Sequence, residues 1–105
     1  MEWDGPTATV TMPGEIDINN AGRIRDELLW LVNEGAATLI VDMSATTFCD
    51  SSGVSALVRA FKRAKAGGTE MRLVVDSPAV LRILTITGAD RLITIYASAA
   101  DATSS

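Results

Sequence analysis

Residues 38–68 read TLIVDMSATTFCDSSGVSALVRAFKRAKAGG, and the fold turns on this stretch. Thr38 to Met43 is a short, nearly continuous apolar run, the pattern of a strand buried on both faces, as in a parallel sheet. From Val54 the period changes. Val54, Leu57, Val58, Phe61 and Ala64 recur at helical spacing, Lys65 falls just off that stripe, and Arg59, Lys62 and Arg63 lie on the other side. Gly67-Gly68 stops the helix, which is expected over 51–66. A buried strand passing into an amphipathic helix is half of a β-α-β unit, so the flanking sequence should supply more of the same.

It does on both sides. Before it, Thr7 to Met12 alternates threonine with apolar residues and reads as a strand broken by Pro13-Gly14. Asn19 or Asn20 can cap a helix running to Glu34, with Ala21, Ile24, Leu28, Leu31 and Val32 on one face and Gly35 at its C-terminal end. After it, Met71 to Val75 is another buried strand. Ser77-Pro78 starts a helix that faces inward through Val80, Leu81 and Leu84 and ends at Gly88, and Leu92 to Tyr96 is a last strand. Strand and helix alternate throughout with short connections. The expected fold is therefore α/β, one domain over 1–97, with a mixed but mainly parallel central sheet of four to five strands covered by three to five helices. The end of the chain, 98–105, has too little apolar surface to pack and is expected to be a disordered tail.

Composition removes several kinds of chemistry. The chain has 105 residues, 48% of them hydrophobic, and a net charge of −4, enough for one aliphatic core but without a basic block for nucleic acid or an anionic membrane. Its apolar runs are far shorter than a membrane span and it opens on no signal peptide, so a soluble cytoplasmic protein is expected. There is no histidine, which removes the Ser-His-Asp and Cys-His nucleophile arrangements and most zinc sites. Cys49 is the only cysteine and has no cationic neighbour in sequence, so it reads as a small buried hydrophobe. Neither the dinucleotide fingerprint nor the phosphate-binding loop is filled, nor is a nucleophile elbow. No enzyme activity, cofactor or metal is expected. Gly14 to Asp17, GEID, offers too few oxygen ligands for a metal and reads as an acidic turn before a helix.

The remaining candidate is FCDSSG, 48–53, at the carboxyl end of a buried strand and the start of a helix, where parallel folds present reactive groups. Asp, Ser and Gly there are ordinary capping residues, and a plain cap is their commoner meaning. Asp50 as the cap would leave Ser51 free to project, with Ser52 the competing hydroxyl. A phosphate would be tolerated at that position, because the first-turn amides are unpaired and the helix dipole favours negative charge. Asp42 breaks the apolar run near its end and is expected at the rim of the strand. The basic face of 51–66, with Arg59, Lys62, Arg63 and Lys65, reads as solvated, partner docking being the lesser alternative.

These stretches resemble a known family. GEID with Asn20-Ala21, then LIVDMSATTFCDSSGVSALVRAFKRAKAGG, then RLVVDSPAVLRILTITGADRLITIY are similar to the STAS-domain anti-sigma-factor antagonists of bacteria, in order, from about Val10 to Tyr96. Asp42-x-Ser44 followed by Phe48-x-Asp50-Ser51-Ser52-Gly53 is the most specific part. The resemblance implies a STAS-like fold and a phosphorylation switch. Its acceptor is Ser51, directly after the aspartate, with Ser52 as the alternative, and the partner-binding residues are Asp17, Asp50, Ser51, Ser52, Gly53 and Ser55. It implies a partner that is both an anti-sigma factor and a serine kinase, bound by the unphosphorylated form so that a sigma factor is freed, and a metal-dependent serine phosphatase that restores binding. ATP and magnesium would belong to the kinase. STAS domains also act as interaction modules in transport or stress-signalling complexes, which is the alternative job for the same fold. Family members commonly carry a strand before Gly5-Pro6, for which Met1 to Trp3 leaves room only as a remnant. They also carry a C-terminal helix that ASAADA matches weakly, and a threonine where Asn20 stands.

Overall fold

A computed structural model describes residues 1–104. A sheet of five strands runs in the order β1 (Glu2–Asp4), β2 (Thr7–Thr11), β4 (Thr38–Met43), β6 (Glu70–Val75), β7 (Thr94–Tyr96). β1 is antiparallel to β2, and every other neighbour is parallel. The helices α1 (Ala21–Asn33), α2 (Ser51–Ala66) and α3 (Pro78–Thr87) connect successive parallel strands. The architecture is the α/β fold expected from the alternation.

Strand patterning decides where the core lies. On β4 the residues Leu39, Val41 and Met43 share one face with Ala8 and Val10 of β2 and Met71, Leu73 and Val75 of β6. Helix residues Leu28, Leu31, Leu57, Ala60, Val80 and Leu84 close over that face, all buried. β4 is the central strand and buries Ile40 on its second face too, which is why its sequence is a run rather than an alternation. On β2, one strand in from the edge, the second face carries Thr7, Thr9 and Thr11, and the alternation returns. Gly88 takes φ +81°, a left-handed conformation that ends α3 without a side-chain penalty.

Three expectations change. Residues 98–105 were expected to be loose, yet Ala99–Ser104 form a helix, α4. Its one inward residue, Ala102, is fully buried against Ile40, Val74 and Tyr96, and its carbonyl accepts a hydrogen bond from Arg72 Nη1 at 2.6 Å. The second face of the sheet lacks a large helix, so a single alanine and one arginine suffice to seat this turn. The last strand is shorter than 92–96, because Ala89–Arg91 form a 3-10 turn and only Thr94–Tyr96 pair with β6. The remnant before Gly5 does pair, as β1.

Candidate functional site

The carboxyl edge of the sheet is organised by a second, much smaller sheet that sequence reasoning missed. β3 (Glu15–Ile16) and β5 (Phe48–Cys49) pair in parallel, with Glu15 opposite Phe48 and Ile16 opposite Cys49. The two loops leading into them are bound together first. Thr46 is fully buried and its Oγ1 donates to the Pro13 carbonyl at 2.7 Å, while Thr47 N donates to the Gly14 carbonyl at 2.8 Å. Asp42 turns the chain at the end of β4, its Oδ1 accepting from Ser44 N at 2.9 Å, which places it at the rim of the strand. Asp50 N then donates to the Ile16 carbonyl at 3.1 Å. Asp17 and Asp50, each one residue past the pair Ile16–Cys49, are brought side by side by this register.

Asp50 caps α2. It holds extended backbone angles, φ −93° and ψ −175°, and its Oδ1 accepts from Ser52 N at 2.9 Å and Gly53 N at 3.1 Å. Two of the orphan amides at the helix start are thereby satisfied by a neighbouring carboxylate. Gly53 is required by packing. A Cβ there would lie 2.6 Å from Cys49 Sγ and 2.7 Å from Ile16 Cγ2, so the ladder rests directly on the backbone of the first helical turn. Ser51, the first residue of α2, is exposed, and among the described residues its hydroxyl has no hydrogen-bond partner. Ser52 is half-buried and Ser55, one turn on, is exposed.

Asn20 departs from its expected role. Rather than capping α1, its Oδ1 accepts from Asp17 N at 3.0 Å and its Nδ2 donates to the Glu15 carbonyl at 2.9 Å. Asp17 in turn accepts from Asn19 N through its Oδ1 at 2.9 Å, and its carbonyl accepts from Ala21 N at 2.9 Å. Asn20 therefore folds the GEID turn onto α1.

Between α1 and α2 lies an open cleft of about 860 Å³. Ser51, Ser52 and Ser55 line it, together with Arg25, Arg59 and Lys62. Ile18 sits at its mouth, 77% exposed, unusually bare for an aliphatic side chain beside a polar loop. Of the residues expected to bind a partner, the three serines thus share one cleft. Asp17, Asp50 and Gly53 do not line it; they build the turn, the cap and the close packing at the helix start next to it. Ile18 and Arg25 were missed by sequence reasoning, and Arg59 and Lys62 read first as a solvated face and only second as a docking one. Arg25 recurs one turn beyond Ala21, and that spacing was the available signal.

Cys49 is buried against this turn, 5% exposed. Burial first, and the Asp50 charge second, push its thiol from 9.0 up to about 11, so at neutral pH it holds its proton and is no nucleophile. Among the described residues no group of three or more His, Cys, Asp or Glu side chains is placed to hold a metal. Nor is any helix long and apolar enough to cross a membrane.

Comparison with known proteins gives the same edge a context. A family model of the STAS domain matches residues 2–102. The anti-sigma-B factor antagonist of Bacillus subtilis strain 168 is 33% identical over 88 residues, 84% of this chain and 80% of that protein. The crystal structure of an anti-sigma factor antagonist from Mycobacterium paratuberculosis superposes with a TM-score of 0.89 at 25% identity, covering 98% of this chain and 87% of that one. The Bacillus cell fate determinant SpoIIAA, solved in its phosphorylated form, matches in fold with a TM-score of 0.75 at 22% identity, over 99% of this chain and 94% of that one.

Proposed function

This chain belongs to the STAS domain family, and from that premise we propose that it is an anti-sigma-factor antagonist switched by phosphorylation of Ser51. The unphosphorylated form binds an anti-sigma factor and frees its sigma factor. That partner is also a serine kinase, and a separate serine phosphatase reverses the modification. The kinase brings the nucleotide, its metal and the catalytic base, since this chain has no histidine. The protein acts in the cytoplasm as a binding module rather than an enzyme.

One observation carries the reading. Asp50 takes up the amides of Ser52 and Gly53, while Ser51 stays exposed with its hydroxyl unengaged on a rigid helical turn. A side chain needed for the fold would be engaged, and this one is spare. Ser52, half-buried over Asp50, is the poorer acceptor. A phosphoserine carries about −1.5 to −2 charges at neutral pH and, at a helix start, leaves the fold intact. Set against an acidic group in a docked partner, that charge costs several kcal/mol. At ~1.4 kcal/mol per tenfold, two or three such steps weaken binding roughly a hundred- to a thousand-fold.

The test is incubation with the cognate kinase and ATP, followed by mass spectrometry of the intact protein and its peptides. One phosphate on Ser51, abolished by Ser51→Ala, is the expected result. Phosphate on Ser52 alone, or none at all, defeats the assignment.

A further inference from the structure

Resting on the reading of Ser51 as the modified residue, we propose that the cleft between α1 and α2 receives the Ser51 phosphoryl group and holds it with the protein's own cations, Arg25 and Arg59. The charge of the cleft is the first reason. The chain carries 13 acidic and 9 basic residues, yet Arg25, Arg59 and Lys62 line this cleft and no carboxylate does. Such a concentration of one sign in an otherwise acidic molecule is an anion-receiving surface.

Geometry is the second reason. Ser51, Ser55, Arg59 and Lys62 follow one another along a single stripe of α2, with spacings of four, four and three residues, so only the small side chain of Ser55 stands between Ser51 and Arg59 on that stripe. Long side chains on a helix lean toward its N-terminus, which here is the Ser51 end. Arg25 stands across the cleft, one turn into α1. Its guanidinium is folded back along the helix, since a Cβ on Gly22 would lie 3.9 Å from Arg25 Nη2. Because β3 and β5 set the two helix starts side by side, this brings the guanidinium toward the level of Ser51.

Availability is the third. Arg59 and Lys62 make no ion pair among the described residues. Arg25 pairs only with Asp26 at 3.0 Å, both side chains being exposed at 39% and 69%, and an exposed neighbouring pair of this kind exchanges readily for a doubly charged phosphate. Lys62 lies eleven residues from Ser51, about 16 Å along the helix, and acts only through the screened field. Phosphorylation therefore does more than present a repulsive charge. It places the chain's own anion in the cleft and withdraws those cations from any acidic partner.

The experiment places phosphoserine at position 51 by genetic encoding, so that it does not depend on any kinase, and follows its second ionisation by phosphorus NMR. A phosphoserine peptide of the same local sequence is the reference, at about 6. The expected wild-type value lies below that reference by roughly half a unit or more, as for an anion beside an opposite charge. Arg25→Gln and Arg59→Gln should bring it back toward the peptide value, Arg25→Lys should retain most of the shift, and Lys62→Gln should move it least. Arg91→Gln, outside the cleft, should leave it unchanged. A wild-type value equal to the peptide's, or one that Arg25→Gln leaves unmoved, overturns the proposal. So does an unphosphorylated Arg25→Gln protein that loses partner affinity while the phosphoserine titration stays put, which assigns the cations to the partner. Should no kinase modify Ser51 while the encoded phosphoserine titrates low, the kinase reading falls and the cleft assignment stands.

Discussion

Two helices leave the same edge of the sheet, and their first turns are built differently. α2 is capped locally by Asp50, whose carboxylate takes two amides. α1 has no side-chain cap, because Asn20 spends both ends of its amide on the loop before it. The difference separates two tasks. A self-contained cap leaves Ser51 with no structural duty, so it can be modified without loosening the helix. A diverted cap leaves the start of α1 less well satisfied but locks the turn that supports Gly53 and Asp50. One helix start presents an unengaged hydroxyl and the other steadies the turn packed beneath it.

The largest expected effect tests the first task. Phosphorylated protein should bind the anti-sigma partner roughly a hundred- to a thousand-fold more weakly than unphosphorylated protein in a titration calorimeter. Ser51→Ala should bind constitutively, and Ser51→Asp should move in the phosphorylated direction. Equal affinities for the two substitutions would mean that charge at this helix start is not the signal.

Next in size is the support beneath it. Gly53→Ala forces a methyl into Cys49 and Ile16 and should cost about 1–3 kcal/mol in denaturant unfolding. Asp50→Ala should cost about 0.5–2 kcal/mol as a lost cap, and Asn20→Ala about 1 kcal/mol from its two loop hydrogen bonds. The double substitution sharpens the contrast. If the two helix starts were independent, the losses would add, but the β3–β5 ladder joins them, so a coupling above about 0.5 kcal/mol is expected.

The last effect is confined to alkaline pH and is absent under ordinary conditions. The Cys49 thiol is raised to about 11 in the fold against 9.0 ordinarily. Below pH 9 both folded and unfolded chains keep the proton and the group is neutral with respect to stability. Between 9 and 11 the unfolded chain releases it first, so stability is lost as pH rises through that window. Cys49→Ala should flatten this part of the profile when unfolding midpoints are compared across it, after allowance for the same substitution at neutral pH.

Most of the scaffold was legible because its signals are local. The run TLIVDM, the stripe on 51–66 and Ser77-Pro78 each declare themselves within a turn or two, and the structure places β4 at 38–43, α2 at 51–66 and α3 from Pro78. Asp50 as cap and Ser51 as spare hydroxyl were legible for the same reason. What escaped was long-range. Strands two residues long have no periodicity to read, and GEID and FC become a ladder only because Thr46 and Thr47 tie loops 33 residues apart. Arg25 became part of the cleft only when α1 was laid beside α2. The tail misled for an energetic reason. Ala102 buries little surface, but a close-fitting alanine under an arginine hydrogen bond needs little.

The ladder has a consequence for quality control. Its closure joins Glu15–Ile16 to Phe48–Cys49 across a long stretch of chain, and the entropy of closing that loop is smaller once β2 and β4 are paired. The cleft edge thus leans on the main sheet for its closure. A nascent, nicked or thermally opened copy contains Ser51 but not the ladder on which its helix start rests, so only a copy folded on both sides of that loop presents the hydroxyl as the native protein does.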